Sequence, residues 1–132
     1  MKDTKYNSMN VTKEKYNGWT NYQTWNFKIW MENDQNDYRT ILSKVEKKII
    51  ELKKVKETNP IRGQMPESWH KSIKYREASK ILKDYAWEWV DNVVSSKASF
   101  VNDVLRYAIN GINFYEIAQD IVDRVEEEME VV

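Results

Sequence analysis

Apolar residues recur along this chain at intervals of three and four positions, the period of an α-helix that buries one face. The pattern is clearest in the second segment, whose stripe is Ile41, Leu42, Val45, Ile49, Leu52 and Val55. Lysines fill most of the other positions, so the segment predicts a long amphipathic helix. It should begin after Asn36 or Asp37 and end at Asn59-Pro60, because the residue before a proline avoids the helical region.

An earlier helix is predicted from Tyr22 to about Asn33. Asn21 suits its N-cap, since a short polar side chain accepts a hydrogen bond from an N–H group in the first turn. Tyr22, Trp25 and Ile29 fall on one side of this helix, and we expect them to face the core.

The stretch GWTNYQTWNFKIW, residues 18–30, holds three of the six tryptophans in the chain. We interpret it as a core element in which Trp19 folds back over the Asn21 cap. The alternative is an aromatic cage that holds a ligand. The aromatic residues that lie off the main stripes, and that we expect at the surface, are Phe27, Trp30 and Trp87.

Two further helices are predicted after a loop at residues 61–65. The third helix opens at Pro66-Glu67, which suit a first turn. Its predicted buried face, which leaves room for a kink near Lys80, is Trp69, Ile73, Ile81, Leu82, Tyr85, Trp89 and Val93. Ser99 is predicted to cap the fourth helix, and Asn110-Gly111 to end it. The apolar stripe of the fourth helix is Val101, Val104, Leu105 and Ala108.

A fifth helix is predicted after Asn113, its cap, where Glu116 would return a hydrogen bond and complete a capping box. Ile112 and Ile117 occupy the two positions of a hydrophobic staple, and we expect this region to contact the first helix. Residues 1–17 lack periodicity and predict a flexible N-terminal arm. Residues 18–132 therefore predict a single compact all-α domain of about five helices.

The composition fits one small cytoplasmic domain. The chain has 132 residues and no cysteine, so disulfides and cysteine-ligated metals are excluded. No segment has the pattern of a signal peptide or of a membrane span. The net charge is zero, but Lys and Arg outnumber acids by 13 to 5 in residues 38–83, whereas acids lead by 11 to 3 in residues 84–132. This asymmetry either orients a charged partner or neutralises two helical layers within the fold.

The motifs of common enzymes do not occur in the sequence. His70 is the sole histidine and has no cysteine or HExxH context, so we expect an ordinary exposed or rim residue and no metal or other cofactor. Asp84, Glu88 and Asp91 recur at helical spacing and could hold a divalent metal, but such a set is more often a solvated helix face. The protein is therefore predicted not to be an enzyme.

Nucleic-acid binding is a second hypothesis, which depends on the basic 38–83 segment. Phosphates would be contacted by a stripe of cations, with tryptophans available to stack on bases. The cations concerned are Lys44, Lys47, Lys48, Lys53, Lys54 and Arg62. Carboxylates at positions 46, 51 and 57, and the acidic segment at 126–130, oppose this interpretation because they repel phosphate.

One motif resembles a known family. Gly18-Trp19-Thr20 followed by NYQTWN, residues 21–26, is similar to the signature Asn-Tyr-Glu-Thr-Trp-Asn of small uncharacterised proteins of bacteriophages, plasmids and prokaryotic genomes. Gln23 stands here where a glutamate is usual. A second segment, INFYEIA at 112–118, resembles a family segment of the type Val-Asn-Trp-x-Glu-Ile-Ala. Trp19, Asn21, Tyr22, Trp25, Asn113 and Glu116 are the structural residues of these two motifs.

What this resemblance implies is a mobile-element accessory protein. Small proteins of that kind frequently block a host defence, so the expected partner is a Cas or restriction nuclease, bound as by anti-CRISPR or antirestriction proteins. The contact residues would be the basic ones named above or the acidic set Asp84, Glu88 and Asp91. A homodimer is also compatible with the sequence, because the long third helix has a second face to bury.

Overall fold

The computed structural model describes residues 15–93 and 100–131, and within them every element is helical. The helices are α1 (Tyr22–Asn33), α2 (Gln35–Thr58), α3 (Pro60–Gly63), α4 (Glu67–Val93), α5 (Phe100–Asn110) and α6 (Phe114–Val131). The all-α prediction is thus confirmed. The predicted cap Ser99, the side chain of Val93 and residues 1–14 of the predicted arm lie outside the described residues.

Helices α2, α4 and α6 form the centre of the bundle, with α4 antiparallel to both of its neighbours. Tyr85 near the end of α4 bonds Asp37 at the start of α2, and Lys74 near the start of α4 bonds Glu126 near the end of α6. The core of the bundle consists of Phe27, Met31, Ile41, Val45, Ile49, Ala78, Leu82, Ala86, Ile109, Phe114, Ile117, Ala118, Ile121, Val122 and Val125. All of these but Ile109 come from α1, α2, α4 and α6, so α5 adds little to the core.

The buried face of α1 differs from the predicted one. Thr24, Phe27 and Met31 are buried, whereas Tyr22 is 51% exposed and Trp25 and Ile29 are only half-buried. Phe27 was expected at the surface, yet its ring packs 5.3 Å from that of Trp89. Because apolar and polar residues are mixed around α1, spacing alone cannot select the face that turns inward.

Of the other two aromatic residues expected at the surface, one is exposed and the other is not. Trp30 is 62% exposed, as predicted, but Trp87 is half-buried and packs against the core. Tyr22 and Trp25 turn toward the segment before the helix, where their rings lie 5.2 Å from the ring of Tyr16. They extend the core outward over the N-terminal turn and do not form its centre.

One helix boundary, one loop and one predicted kink need correction. Helix α2 begins at Gln35, before the predicted start, because the Asp34 side chain accepts from the Asp37 N–H at 3.0 Å. The predicted loop at 61–65 instead opens with the short helix α3, since the Asn59 side chain accepts from the N–H groups of Ile61 and Arg62. Helix α4 runs without interruption from Glu67 to Val93.

A tight turn precedes α1. Tyr16 and Trp19 exchange backbone hydrogen bonds of 2.6 and 2.8 Å across Asn17-Gly18. Both central residues have positive φ, 48° and 88°. This is the geometry of the two-residue hairpin turn that Asn-Gly favours. Lys15, Tyr16 and Asn17, which fall within the predicted arm, therefore belong to the folded part.

None of the described helices is both long and apolar enough to cross a membrane.

Candidate functional site

The NYQTWN motif at residues 21–26 and the INFYEIA segment at 112–118 meet in space and are hydrogen-bonded to each other at the caps of their helices. Asn21 accepts from the Thr24 N–H at 2.9 Å and from the Thr24 hydroxyl at 2.6 Å. The same hydroxyl oxygen accepts from the Asn113 N–H at 2.9 Å, and the Asn21 amide donates to the Gly111 carbonyl at 2.7 Å. We call this arrangement the cap interlock; it ties the start of α1 to the turn before α6.

The predicted capping box at α6 is only half formed. Asn113 does cap the helix, since its side chain accepts from the Glu116 N–H at 3.1 Å. Glu116, however, does not return to Asn113: its carboxylate accepts from the Thr20 N–H at 2.9 Å. The Asn113 N–H is already bound to Thr24, which leaves the Glu116 carboxylate for the other motif. Thr24 of the first motif thus takes the place of Glu116 as the acceptor for the Asn113 N–H, and Glu116 accepts from Thr20 of the first motif instead.

The interlock leaves no room for a ligand between the motifs. Thr24 is 0% exposed, and a Cβ added at Gly111 would lie only 3.4 Å from the Gln23 amide nitrogen. Trp19 packs against the core and carries Lys28 over its ring, with Nζ 5.4 Å from the ring centroid. The residues of the motif are therefore used in packing, and a binding site has to be sought elsewhere.

A pocket of about 350 Å³ lies at the end of the bundle where α2 and α6 finish and α4 begins. We call it the end pocket. Its lining is Ile49, Leu52, Lys53, Lys56, Arg62, Trp69, His70, Ile73, Lys74, Glu126, Met129 and Glu130. The volume is at the lower end of the range for ligand pockets in proteins, which runs from about 300 to 1,000 Å³.

The wall of the end pocket combines apolar side chains with charged ones. The apolar residues are Ile49, Leu52, Trp69, Ile73 and Met129. Four cations, two carboxylates and His70 complete the lining. Arg62 lies over the Trp69 indole, with Cζ 5.8 Å from the ring, so a cation and an aromatic face are held side by side. Arg and Trp are both enriched among the residues of binding hot spots.

His70 lies in the wall of the end pocket, which contradicts the expectation of an exposed or rim position. It is only 8% exposed, and its ring packs edge-on against Trp69 with centroids 5.1 Å apart. Its Nε2 atom is buried and has no hydrogen-bond partner among the described residues. A buried polar atom without a partner costs free energy.

The burial of His70 follows from a row of residues four positions apart along α4. Ala78, Leu82 and Ala86 are buried at this spacing, and His70 lies two turns before Ala78 on the same row. A spacing of four drifts slowly around a straight helix, which suits a helix packed between two neighbours. The spacing of four in the sequence predicts a buried His70. The expectation of an exposed or rim position did not use this spacing.

Ion pairs neutralise part of the charge around the end pocket. Lys74 Nζ lies 2.5 Å from the half-buried Glu126 carboxylate. Lys56 Nζ lies 3.0 Å from Glu67, and this hydrogen bond is the main cause that lowers the pKa of the Glu67 carboxyl. Lys53 and Arg62 form no ion pair with any described residue. Their positive charge is therefore available to a negatively charged group at the mouth of the pocket.

The cations that the sequence grouped on the second helix and the loop after it point in different directions. Lys53 and Arg62 line the end pocket. Lys47 and Lys54, seven residues apart, share the outward side of α2. Lys44 lies over the Tyr85 ring at 5.8 Å, and Lys48 pairs with Glu51 at 3.4 Å. These six residues therefore do not form a single continuous basic stripe.

Asp84, Glu88 and Asp91 lie together on an exposed side of α4. No group of three or more acidic or histidine side chains within the described ranges is arranged to hold a metal ion. A wide cleft of about 700 Å³ lies at the other end of the bundle, between Trp30, Trp89 and the α1–α2 junction at residues 33–37. Its walls are mainly polar; the Asp34 side chain in them caps α2, and the Asp37 carboxylate accepts from the Tyr85 hydroxyl.

These features define a small all-α protein with an internally braced N-terminal motif and one compact amphipathic pocket. The chain belongs to the family of unknown function DUF7249, whose sequence profile matches residues 12–92. The matched range includes the NYQTWN motif and helices α1 to α3 with nearly all of α4. No curated protein and no solved structure matches the chain significantly.

Proposed function

We propose that this protein is a non-enzymatic accessory protein that acts by binding another protein through the end pocket. The observation that supports this most directly is the pocket itself, in which apolar walls lie beside the cations Lys53 and Arg62. The matching ligand is a segment of a partner protein that carries an apolar side chain beside an acidic one. The apolar side chain fills the cavity, and its acidic neighbour meets the cations at the mouth.

We further propose that the partner is a host defence nuclease, either a Cas or a restriction enzyme. The support is the likeness of the NYQTWN motif to small proteins of phages and plasmids, together with the separation of charge along the chain. Since a likeness of this kind is an analogy and not chemistry, the partner has to be tested directly. The protein would act in the cytoplasm of the host cell and would need no cofactor.

The proposal is tested by mixing the purified chain with a panel of Cas and restriction nucleases and measuring co-elution and DNA cleavage. For a nuclease that binds, Lys53→Glu is expected to weaken binding about tenfold or more, because it reverses a charge at the pocket mouth. Lys47→Glu is the matched control: it makes the same change on an exposed lysine of α2 that does not line the pocket. His70→Phe, which replaces the imidazole by a larger apolar ring and removes the polar edge, tests the wall itself.

Two outcomes would contradict the proposal. Absence of binding across the panel would remove the nuclease as partner. Equal weakening by Lys47→Glu and Lys53→Glu would show that general charge, not the end pocket, governs the contact.

Nucleic-acid binding is the second candidate function. It is favoured by Lys47 and Lys54, which share the outward side of α2 and form no ion pair with described residues. A salt titration with short DNA and RNA distinguishes the two functions, since binding to phosphate weakens steeply as salt rises. Lys47→Glu should then reduce affinity at least as much as Lys53→Glu. No binding at low salt would eliminate this candidate.

A further inference from the structure

The turn before α1 contains Asn17-Gly18, a dipeptide with an intrinsic route to chemical change. The Asn17 residue is followed directly by the backbone nitrogen of Gly18, and glycine places no Cβ beside that nitrogen. The nitrogen can therefore attack the side-chain amide carbon of Asn17 and close a five-membered ring. In a folded chain this reaction requires an exposed pair, an N–H group that is not hydrogen-bonded, and a backbone that is free to adopt the ring geometry.

Asn17-Gly18 meets these requirements. Both residues are exposed, and a Cβ added at Gly18 would meet no atom within 4 Å. The two backbone hydrogen bonds of the turn join Tyr16 and Trp19. Among the described residues, neither the Gly18 N–H nor the Asn17 amide has a hydrogen-bond partner. Because both residues are exposed at the edge of the fold, the turn opens locally at low free-energy cost.

The other Asn-Gly pair of the chain, Asn110-Gly111, is the natural comparison. Asn110 is exposed as well, but it is the last residue of α5. The Gly111 N–H donates to the carbonyl oxygens of Tyr107 and Ala108, at 3.1 and 3.2 Å. This N–H has to leave the helix end before its nitrogen can attack. The fold therefore protects one Asn-Gly pair and leaves the other open to reaction.

We propose that Asn17 is a site of spontaneous conversion to isoaspartate. The Gly18 nitrogen loses its proton and forms a bond to Cγ of Asn17, while the side-chain nitrogen leaves Cγ as ammonia. Water then opens the imide ring. Water that breaks the new Cγ–N bond leaves aspartate, whereas water that breaks the original peptide bond leaves a main chain that runs through Cγ, which is isoaspartate. The sum is an amide and water converted to an acid and ammonia, so no oxidant or enzyme is needed.

The product changes the turn in two ways. Isoaspartate adds a methylene carbon to the main chain, which a two-residue turn cannot accommodate, and it adds a negative charge. The turn holds the Tyr16 ring against Tyr22 and Trp25, and Lys15 lies 3.9 Å from the Glu116 carboxylate. Conversion therefore loosens these contacts to α1 and to the start of α6. None of the residues lines the end pocket, so the inference is independent of the proposed function.

The test is incubation of the full chain at neutral pH and physiological temperature, followed by tryptic peptide mapping with mass spectrometry. Asn17 falls in the peptide 16–28 and Asn110 in the peptide 107–124. Fragmentation that distinguishes isoaspartate from aspartate locates and identifies the product. Asn17 should convert at least about fivefold faster than Asn110, since the net contribution of one hydrogen bond corresponds to about this factor.

Two controls separate the fold from the sequence. Incubation in guanidinium chloride frees the Gly111 N–H, so the ratio of the two rates should fall. Asn17→Gly is the matched variant, because Gly-Gly also favours a two-residue turn but has no side-chain amide. As isoaspartate accumulates, the midpoint of thermal unfolding of the wild-type chain should fall by about 4 °C, the shift expected from the loss of one turn's contacts. The midpoint of Asn17→Gly should stay constant.

The proposal is overturned if Asn17 in the native chain converts no faster than Asn110. An unchanged ratio of rates in guanidinium chloride would refute the protection of Asn110 by the fold. Aspartate without isoaspartate at position 17 would contradict the ring intermediate. A fall of the midpoint that Asn17→Gly shares would refute the effect of the conversion on the turn.

Discussion

Replacing Thr24 by valine tests whether the NYQTWN motif is a structural device. Valine has nearly the shape of threonine and the same β-branching, so the change removes the hydroxyl group and little else. In the wild-type chain that hydroxyl donates to Asn21 at 2.6 Å and accepts from the Asn113 N–H at 2.9 Å. The side chain is 0% exposed, so water has no direct access to either partner through it.

The expected cost follows from these contacts. A typical hydrogen bond contributes about 1 kcal/mol net, and a buried donor left without a partner costs about 1–3 kcal/mol. Asn21 retains its bond from the Thr24 N–H, so the main loss is at the Asn113 N–H. We expect Thr24→Val to lower the free energy of unfolding by about 2–3 kcal/mol, a large part of the 5–15 kcal/mol typical of a domain. The midpoint of thermal unfolding should fall by about 10 °C.

The assay is urea unfolding followed by circular dichroism, with the slope against urea concentration compared between variants. Thr24→Ser keeps the hydroxyl and loses one methyl group, so it should cost only about 1 kcal/mol. Thr40→Val is a second control, because the Thr40 hydroxyl bonds the Asn36 carbonyl on an exposed helix side and its loss should cost less than about 0.5 kcal/mol. The explanation fails if Thr24→Val unfolds like the wild type, or if Thr24→Ser is as destabilised as Thr24→Val.

Two further predictions concern other parts of the fold. Burial, followed by the hydrogen bond to the Asp37 carboxylate, raises the pKa of Tyr85 to about 12. Since this pKa lies above the unfolded value of about 10, the stabilisation of the fold by protonated Tyr85 is complete below pH 10 and is lost as the pH rises toward 12. Asp37→Asn should lower the pKa of Tyr85 in an absorbance titration referenced to Tyr85→Phe. An unchanged pKa would contradict the role of the Asp37 carboxylate. Gly18 has φ +88° with no atom within 4 Å of an added Cβ, so Gly18→Ala should cost about 1 kcal/mol from the backbone alone in thermal unfolding, and a neutral result would contradict the turn geometry.

Helix positions were predictable where one local signal dominates. The stripe of α2 is regular over its whole length, and Asn59-Pro60 ends it as expected. Asn21 and Asn113 cap their helices because a cap depends only on neighbours along the chain. Local chemistry also explains one error: the Asn59 side chain caps a new helix beyond the proline, which the sequence pattern did not reveal.

The face that a helix buries depends on what surrounds it, and there the sequence was less informative. Helix α1 has apolar residues on several sides. Phe27 is buried instead of Trp25 because its ring packs against Trp89 and Phe114, which are distant in sequence. In α5 the pattern was strongly amphipathic, yet Val101 and Val104 of its predicted buried stripe are exposed, while Leu105 and Ala108 are half-buried. The end pocket could not be predicted, because it requires the ends of α2 and α6 to meet the start of α4 in space.

The range that the family profile matches contains most of the end pocket but only one part of the cap interlock. Nine of the twelve residues that line the end pocket lie within the matched range 12–92, whereas Glu126, Met129 and Glu130 on α6 lie beyond it. The cap interlock joins the two parts, because Thr24 lies within the range and its partner Asn113 lies outside. Its hydrogen bonds therefore fix the start of α6, whereas the far end of α6, which carries the acidic wall of the end pocket, is tied to α4 by the Lys74–Glu126 pair.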